Sequence, residues 1–435
     1  MFIKALSRRH YTSIPGATLD LNFKRRRAKI TGAGDGLAVA SVVSANRNSA
    51  GSVYNEQGLY EEAPANALRF DHVPRNGAPR GLRVEPAASY YGKWSSAPDN
   101  AVYTVSNASL TPNNAPGIDG SLTWGRFTET STSAVGRIGQ TITIPSASSA
   151  WIGFWHVRRV GDSRRFVTLD LSMTGGTAVT GSATFDIIIG IVVGYTGPVS
   201  AYIESAGMDS WKISISAFNG GANTSLRVSV GRTLVAEPPY QFDVGDAGYA
   251  NVLAPPSSIR TQATTIVRAA DIASISMAAN QWFLREVGTM VVDAEMAGDT
   301  GQAHTLFAVR NAAADQMFWA YRNPSQGAII VVMQNASGST QIPMYGMGTL
   351  PRRISLAISY AGAVLRVAMN GGDVDYTDLG NGVSEVANPF LMSVAPSSLD
   401  IGHFNGGAVG DLRISQLTYA PILMTGAELS EIVRN

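Results

Sequence analysis

Apolar and polar side chains alternate at every second residue in one segment of this chain after another. The segments recur roughly every ten to fifteen residues, separated by Gly, Asn, Ser and Pro. A period of two sends successive side chains to opposite faces of a strand, so the pattern commits the chain to sheets and leaves little room for helices. In "WKISISAF", Trp211, Ile213, Ile215 and Ala217 share one face, and Lys212, Ser214 and Ser216 share the face expected toward solvent. "LRVSVGR" repeats the theme with Leu226, Val228 and Val230 inward, while "FDIIIGIVVGY" at 185–195 is apolar on both faces and predicts a central strand. The 45 glycines and 20 prolines supply the many turns such a fold needs. The expected class is all-β, with antiparallel sandwiches.

A chain of 435 residues exceeds one ordinary core, so more than one domain is expected. "NVLAPPSSIRTQATT" at 251–265 breaks the alternation, because Pro255 and Pro256 cannot donate to a ladder. The expected division is an irregular N-terminal attachment and connector region at 1–85, a first jelly-roll sandwich at 86–254 and a second at 255–435. "RRISLAISY" and "AVLRVAMN" meet at Ala361-Gly362 as a hairpin. "ILMTGAELSEIVRN" carries the one good helix signal, a capping box with Thr425 and Glu428, and its Leu429, Ile432 and Val433 are expected to cover one end of the sandwich.

Charge and composition exclude several functions. The 33 basic and 32 acidic residues leave a formal net charge of +1, which gives no general attraction to nucleic acid. No apolar run approaches the ~18 residues of a spanning helix, so no membrane insertion is expected. With no cysteine, thiol catalysis and thiolate metal sites are absent. "MFIKALSRRH" lacks the apolar stretch of a signal peptide and reads as mature protein.

Each candidate for chemistry has a plain alternative. The histidines His10, His72, His156, His304 and His403 show no metal-clamping spacing, so no metal site and no cofactor are expected. "TGAGDG" at 31–36 lacks the strand and helix of a phosphate loop and reads as a turn. Glu61-Glu62 and Asp373 with Asp375 are acidic pairs, the latter at a strand end where carboxylates are solvated, and no strand carries the paired acids of a glycosidase, so no catalytic residue is assigned. "FKRRRAK" at 23–29 and "HVRRVGDSRR" at 156–165 read as solvated charge. Trp151 and Trp155 share a strand face and are expected in the core. Tyr90, Tyr91, Trp94 and Trp124 lie in loop-like or edge-like sequence, where rings stack on sugar faces, and are the ligand-binding candidates.

"SVYNEQGLYEEAPANALRFDHVPRNGAPRGLRVEPAASYYGKWS" resembles a recurring module of bacteriophage and prophage virion proteins of the tail-fibre or spike type. The matching positions are Tyr54, Gly58, Leu59, Asn66, Arg69, Phe70, Asp71, Gly81, Leu82, Val84 and Glu85, and "LDLNF" at 19–23 is similar to the family's opening. The chain departs from that pattern after Glu85, where "PAASYY" stands in place of a Thr-Asn pair. "SLDIGHFNGGAVGDLRISQLTYAPILMTGAELSEI" is similar to the end of concanavalin-like, laminin-G-type domains in phage fibres.

The resemblance implies a virion exterior location, a homotrimer, attachment to other virion proteins through the N-terminal region, and display of sandwiches toward host-surface polysaccharide. A depolymerase, or a purely architectural decoration or baseplate part, are the alternatives. Within the connector, Arg69 with Asp71 and Arg83 with Glu85 are expected to pair across extended chain, while Phe70, Leu82 and Val84 bury beneath.

Overall fold

The computed structural model describes residues 14–161, 165–232, 241–252, 254–277, 282–296, 303–344, 352–362, 364–370, 383–387, 390–407 and 409–434. The fold is all-β, with one α-helix and one short 3-10 turn, Val39–Ser41, among the described residues. Two antiparallel sandwiches each enclose a separate apolar core.

The first sandwich packs a six-stranded sheet on an eight-stranded one. Successive strands switch between the two, as in a jelly roll: Leu122–Glu129 in one, Arg137–Thr143 in the other, then Ser149–Arg159 back in the first. Trp151 and Trp155 point into its core with Ile213, Ile215, Leu226, Val228 and Val230, as the alternation requires.

The segment expected as a central strand lies elsewhere. Its first residues end Val179–Asp186, the chain turns, and Ile191–Thr196 becomes the terminal strand of the six-stranded sheet. Ile189, Ile191, Val193 and Tyr195 stand exposed there. An apolar run is buried on both faces only where other layers cover both, and at the end of this sheet that cover is missing.

The second sandwich packs a ten-stranded sheet on a seven-stranded one, and it draws in the N-terminal region. Leu19–Asn22 pairs with Leu412–Ala420, Ser44–Asn46 with Ile272–Ser276, and Pro79–Val84 with the other end of Leu412–Ala420. Leu19, Leu21, Phe23, Leu82 and Val84 lie in its core. The described part of 1–85 is therefore neither irregular nor apart. Two strands of "LDLNF" type cannot bury an apolar face alone, and the sheets that cover it come from the far end of the chain.

The two strands at the expected hairpin do pair, Ala361 opposite Val364. Helix Gly426–Arg434 starts at the capping box, with Thr425 N–H donating to Glu428 at 2.7 Å and Glu428 N–H to the Thr425 hydroxyl at 3.3 Å. Leu429 and Val433 bury against Val291, Ala357 and Ala368. Those three alternate with core residues, so the helix covers the outer face of the ten-stranded sheet rather than an end of the sandwich.

Candidate binding site

Part of the outer face of the first sandwich's larger sheet is covered. Lys212, Ser214 and Ser216, expected outward, are buried. Residues 254–259 and the connector lie over them, and Ala88, Tyr90, Ile152, Phe154 and Ala250 form a small apolar cluster there. The joint between the two sandwiches is thus built on a covered polar face, and charged rows border it.

One row crosses the first sandwich, where His156, Lys212 and Glu204 stand opposite one another on three adjacent strands. Opposed residues share a face at about 5 Å, so one position on each strand places all three on the joint. A second row crosses the second sandwich: Arg353, Glu295, Arg413 and Arg83 are opposed on four adjacent strands. Arg413 and Arg83 face each other as like charges, which alone is repulsive, and Asp71 resolves the conflict. Its Oδ2 lies 2.6 Å from Arg413 Nε and 3.6 Å from Arg83 Nη1. These cations hold the Asp71 carboxyl down at about 2 despite burial, Arg413 contributing most.

Behind the rows a buried ion network closes the joint. Arg69 binds Asp271 through two nitrogens and Glu85 at 2.6 Å, while Arg47 reaches Asp271 at 2.7 Å and Arg268 reaches Glu85 at 3.3 Å. Glu85 also receives Arg83 at 2.7 Å and the Ser257 N–H at 2.7 Å, so it ties the connector to the segment at 254–259. The expected Arg83 to Glu85 pair forms. Arg69 to Asp71 does not, because Arg69 faces Asp271 and Asp71 the Arg413 row. Phe70 is half-buried, against expectation, whereas Leu82 and Val84 are enclosed.

Two connector positions are set by backbone geometry. Asn66 adopts φ 59° and its Oδ1 accepts from Arg47 N–H at 3.0 Å. Gly81 has φ 123°, and a Cβ there would fall 2.2 Å from the Ile414 carbonyl oxygen, so the strand's close approach needs glycine.

Between the rows lies a cavity of about 440 Å³ that opens to solvent. The cations Arg80, Arg83, Lys212, Arg353 and Arg413 line it, together with the carboxylates Asp71, Glu204 and Glu295. Tyr54 and Tyr60, cross-strand partners on a two-stranded ribbon, add two rings, and Ser52, Ser205, Ser257 and Ser258 add hydroxyls. Arg260 stacks over the Tyr60 ring at 5.4 Å. Burial lowers the Lys212 ammonium to about 8; it donates to the Pro256 carbonyl and lies 4.0 Å from Glu204.

A Ser–His contact adjoins the wall. Ser258 Oγ lies 3.3 Å from His156 Nε2, and His156 Nδ1 lies 2.8 Å from the Asp246 carbonyl oxygen, which fixes Nδ1 as the donor. Burial lowers His156 to about 4, so it is neutral near pH 7 and a weak base.

The aromatic candidates do not line this cavity. Tyr90 is enclosed, its hydroxyl donating to the Ser257 carbonyl at 2.6 Å, and Trp124 is enclosed with Nε1 donating to Asp246 at 2.6 Å. Neither presents a face to a ligand, because loop-like sequence at both positions folds under the joint. Tyr91 packs edge-on to Trp151 at 4.9 Å, and Trp94, at φ 54°, rests half-buried on the first core. Glu61 and Glu62 are solvated, and Asp373, Asp375 and His10 lie outside the described residues. No cluster of three potential metal ligands occurs among the described residues.

Neither a protein-family model nor a curated protein matches the chain. Solved structures that it resembles include the carbohydrate-binding domain, CBM40, of the Ruminococcus gnavus IT-sialidase bound to alpha2,6 sialyllactose, at 13% identity and TM-score 0.28 over 34% of this chain and 83% of that one. The botulinum neurotoxin serotype D binding domain follows at 9% identity and TM-score 0.28, over 37% of this chain and 40% of that one. The LG1-3 region of the laminin alpha2 chain is similar at 11% identity and TM-score 0.26, over 68% of this chain and 66% of that one.

Proposed function

We propose that the chain is a non-enzymatic structural protein of a phage virion, a tail-fibre or spike subunit, whose joint cavity binds host-surface glycan. The observation that carries the binding role is the cavity itself. Sugars are recognised by planar rings and by fixed polar groups that meet several hydroxyls at once, and Tyr54, Tyr60, four serines and the two charged rows supply both in one space. The rows sit on paired strands and are braced by buried ion pairs, so they lose little freedom when a ligand arrives. The virion role rests on the connector resemblance, and the connector residues Arg69, Asp71, Gly81 and Glu85 are those that build this joint.

Binding without cleavage is favoured by the acids present. Glycoside hydrolysis needs a carboxyl held protonated near neutrality, whereas guanidiniums keep two of the three carboxylates on the walls, Asp71 and Glu295, lowered. The weak base His156 likewise argues against acyl transfer through Ser258.

The test is binding and turnover on host-surface polysaccharide by the purified full chain. Expected is saturable binding with no shortening of the polymer, and about a tenfold weakening in Tyr54→Ala, from one lost stacking contact of about 1–2 kcal/mol. Shortened polymer would establish a depolymerase, and absence of binding to any host polysaccharide would leave the architectural alternative. Light scattering on the same preparation is expected to give the mass of three chains. The mass of one chain would remove the trimer.

A further inference from the structure

We propose that the cavity takes an acidic glycan, whose sugar carboxylate docks on the Arg353 guanidinium at the mouth while the chain of hydroxyls follows the walls inward; this rests on the glycan-binding reading above. Three arginines converge on a single carboxylate here. Glu295 Oε1 binds Arg80 and lies 3.2 Å from Arg413, and its Oε2 is 3.7 Å from Arg353. Arg413 has Asp71 as a second partner, and Arg83 is matched from beneath by Glu85 and Asp411. Arg353 has neither compensation.

Its contact with Glu295 is beyond hydrogen-bond reach, its side chain is 65% exposed, and the described residues offer it no hydrogen bond. A guanidinium presents five N–H donors in a planar fork that fits a carboxylate bidentately. Across the cavity the Lys212 ammonium has Glu204 at 4.0 Å as its nearest counter-charge among the described residues, with Glu85 and Asp411 acting on it from farther off. With Arg83 neutralised from beneath, four cations on the walls, Arg80, Arg353, Arg413 and Lys212, face three carboxylates, Asp71, Glu204 and Glu295. One ligand carboxylate would balance them. A neutral sugar would leave the fork to water.

The probes are an oligogalacturonate and its carboxyl-reduced galactose counterpart, titrated calorimetrically into the full chain at low and at moderate salt. Expected are binding of the acidic form, at least tenfold weaker binding of the reduced form, and weakening of the acidic form by salt. Arg353→Ala is expected to lower affinity for the acidic form about tenfold, and Arg353→Lys to recover part of it, keeping charge without the fork. Arg353 is exposed enough that both variants keep the fold.

Equal affinity for the two forms, or no effect of Arg353→Ala, would overturn the acidic ligand and leave the glycan reading standing. Binding of neither form also counts against the acidic ligand. The host-polysaccharide screen then decides separately whether the cavity binds sugars.

Discussion

Arg69→Ala is expected to cost about 3 kcal/mol of unfolding free energy, read from denaturant titration followed by tryptophan fluorescence. The guanidinium is wholly buried and touches Asp271 and Glu85, and it also donates to the Ser52 carbonyl at 2.8 Å. Removing it leaves two carboxylates in a medium that solvates them poorly, and opens a void where the side chain lay. Breaking such a pair typically costs about 3–5 kcal/mol, and the low end applies because Arg47 and Arg268 still reach Asp271 and Glu85. Arg69→Met, which keeps the stem, separates packing from charge: a loss close to that of alanine assigns the effect to the ion network. Glu61→Gln, at a solvated site, is expected to shift stability by less than about 0.5 kcal/mol. A loss under about 1 kcal/mol in Arg69→Ala would mean that the network does not hold the sandwiches together.

Local pattern made the sheets legible. The inward rows at Trp211, Ile213 and Ile215 and at Leu226, Val228 and Val230, and the capped terminal helix, follow from period and from one Thr-x-x-Glu spacing. What the alternation does not carry is the neighbour on the other face. Lys212 and Ser214 read as solvated because nothing within their own strand shows that residues near 256 will cover them. The exposed strand at 191–196 failed the opposite way, since apolar residues do not reveal which edge stays open.

The site was hidden for the same reason. Arg353, Glu295, Arg413 and Arg83 are single charges in four separate strands, and only the register of those strands lines them up. The sequence did offer one signal. Arg69, Asp71, Arg83 and Glu85 put four charges into two short extended segments beside Phe70, Leu82 and Val84, and charge that dense next to core residues implies partners from elsewhere in the chain.

Those buried charges also give the joint a pH response whose wild-type signal conceals two opposing parts. Asp411 lies against Glu85, and both share Arg83. Glu85 takes the stronger pairing, so burial raises the Asp411 carboxyl to about 6 from 3.8. A carboxyl raised on folding contributes stability that is complete below its unfolded value and lost as pH rises through the folded one. From pH 7 to pH 5, Asp411 therefore adds on the order of 1 kcal/mol.

His156 acts in reverse. Lowered by burial to about 4 from 6.5, it contributes stability that is complete above the unfolded value and lost as pH falls. Over the same interval it removes about 2 kcal/mol. His403, lowered for the same reason, shifts stability in the same direction as His156. Between pH 7 and pH 5 Asp411 thus offsets part of the loss from the two histidines, and Asp411→Asn, which removes the compensating group, is expected to lose about 1 kcal/mol more than the intact chain. Parallel titration curves for the two proteins would show that Asp411 titrates no differently folded than unfolded, and that the crowding of carboxylates around Arg83 carries no electrostatic strain.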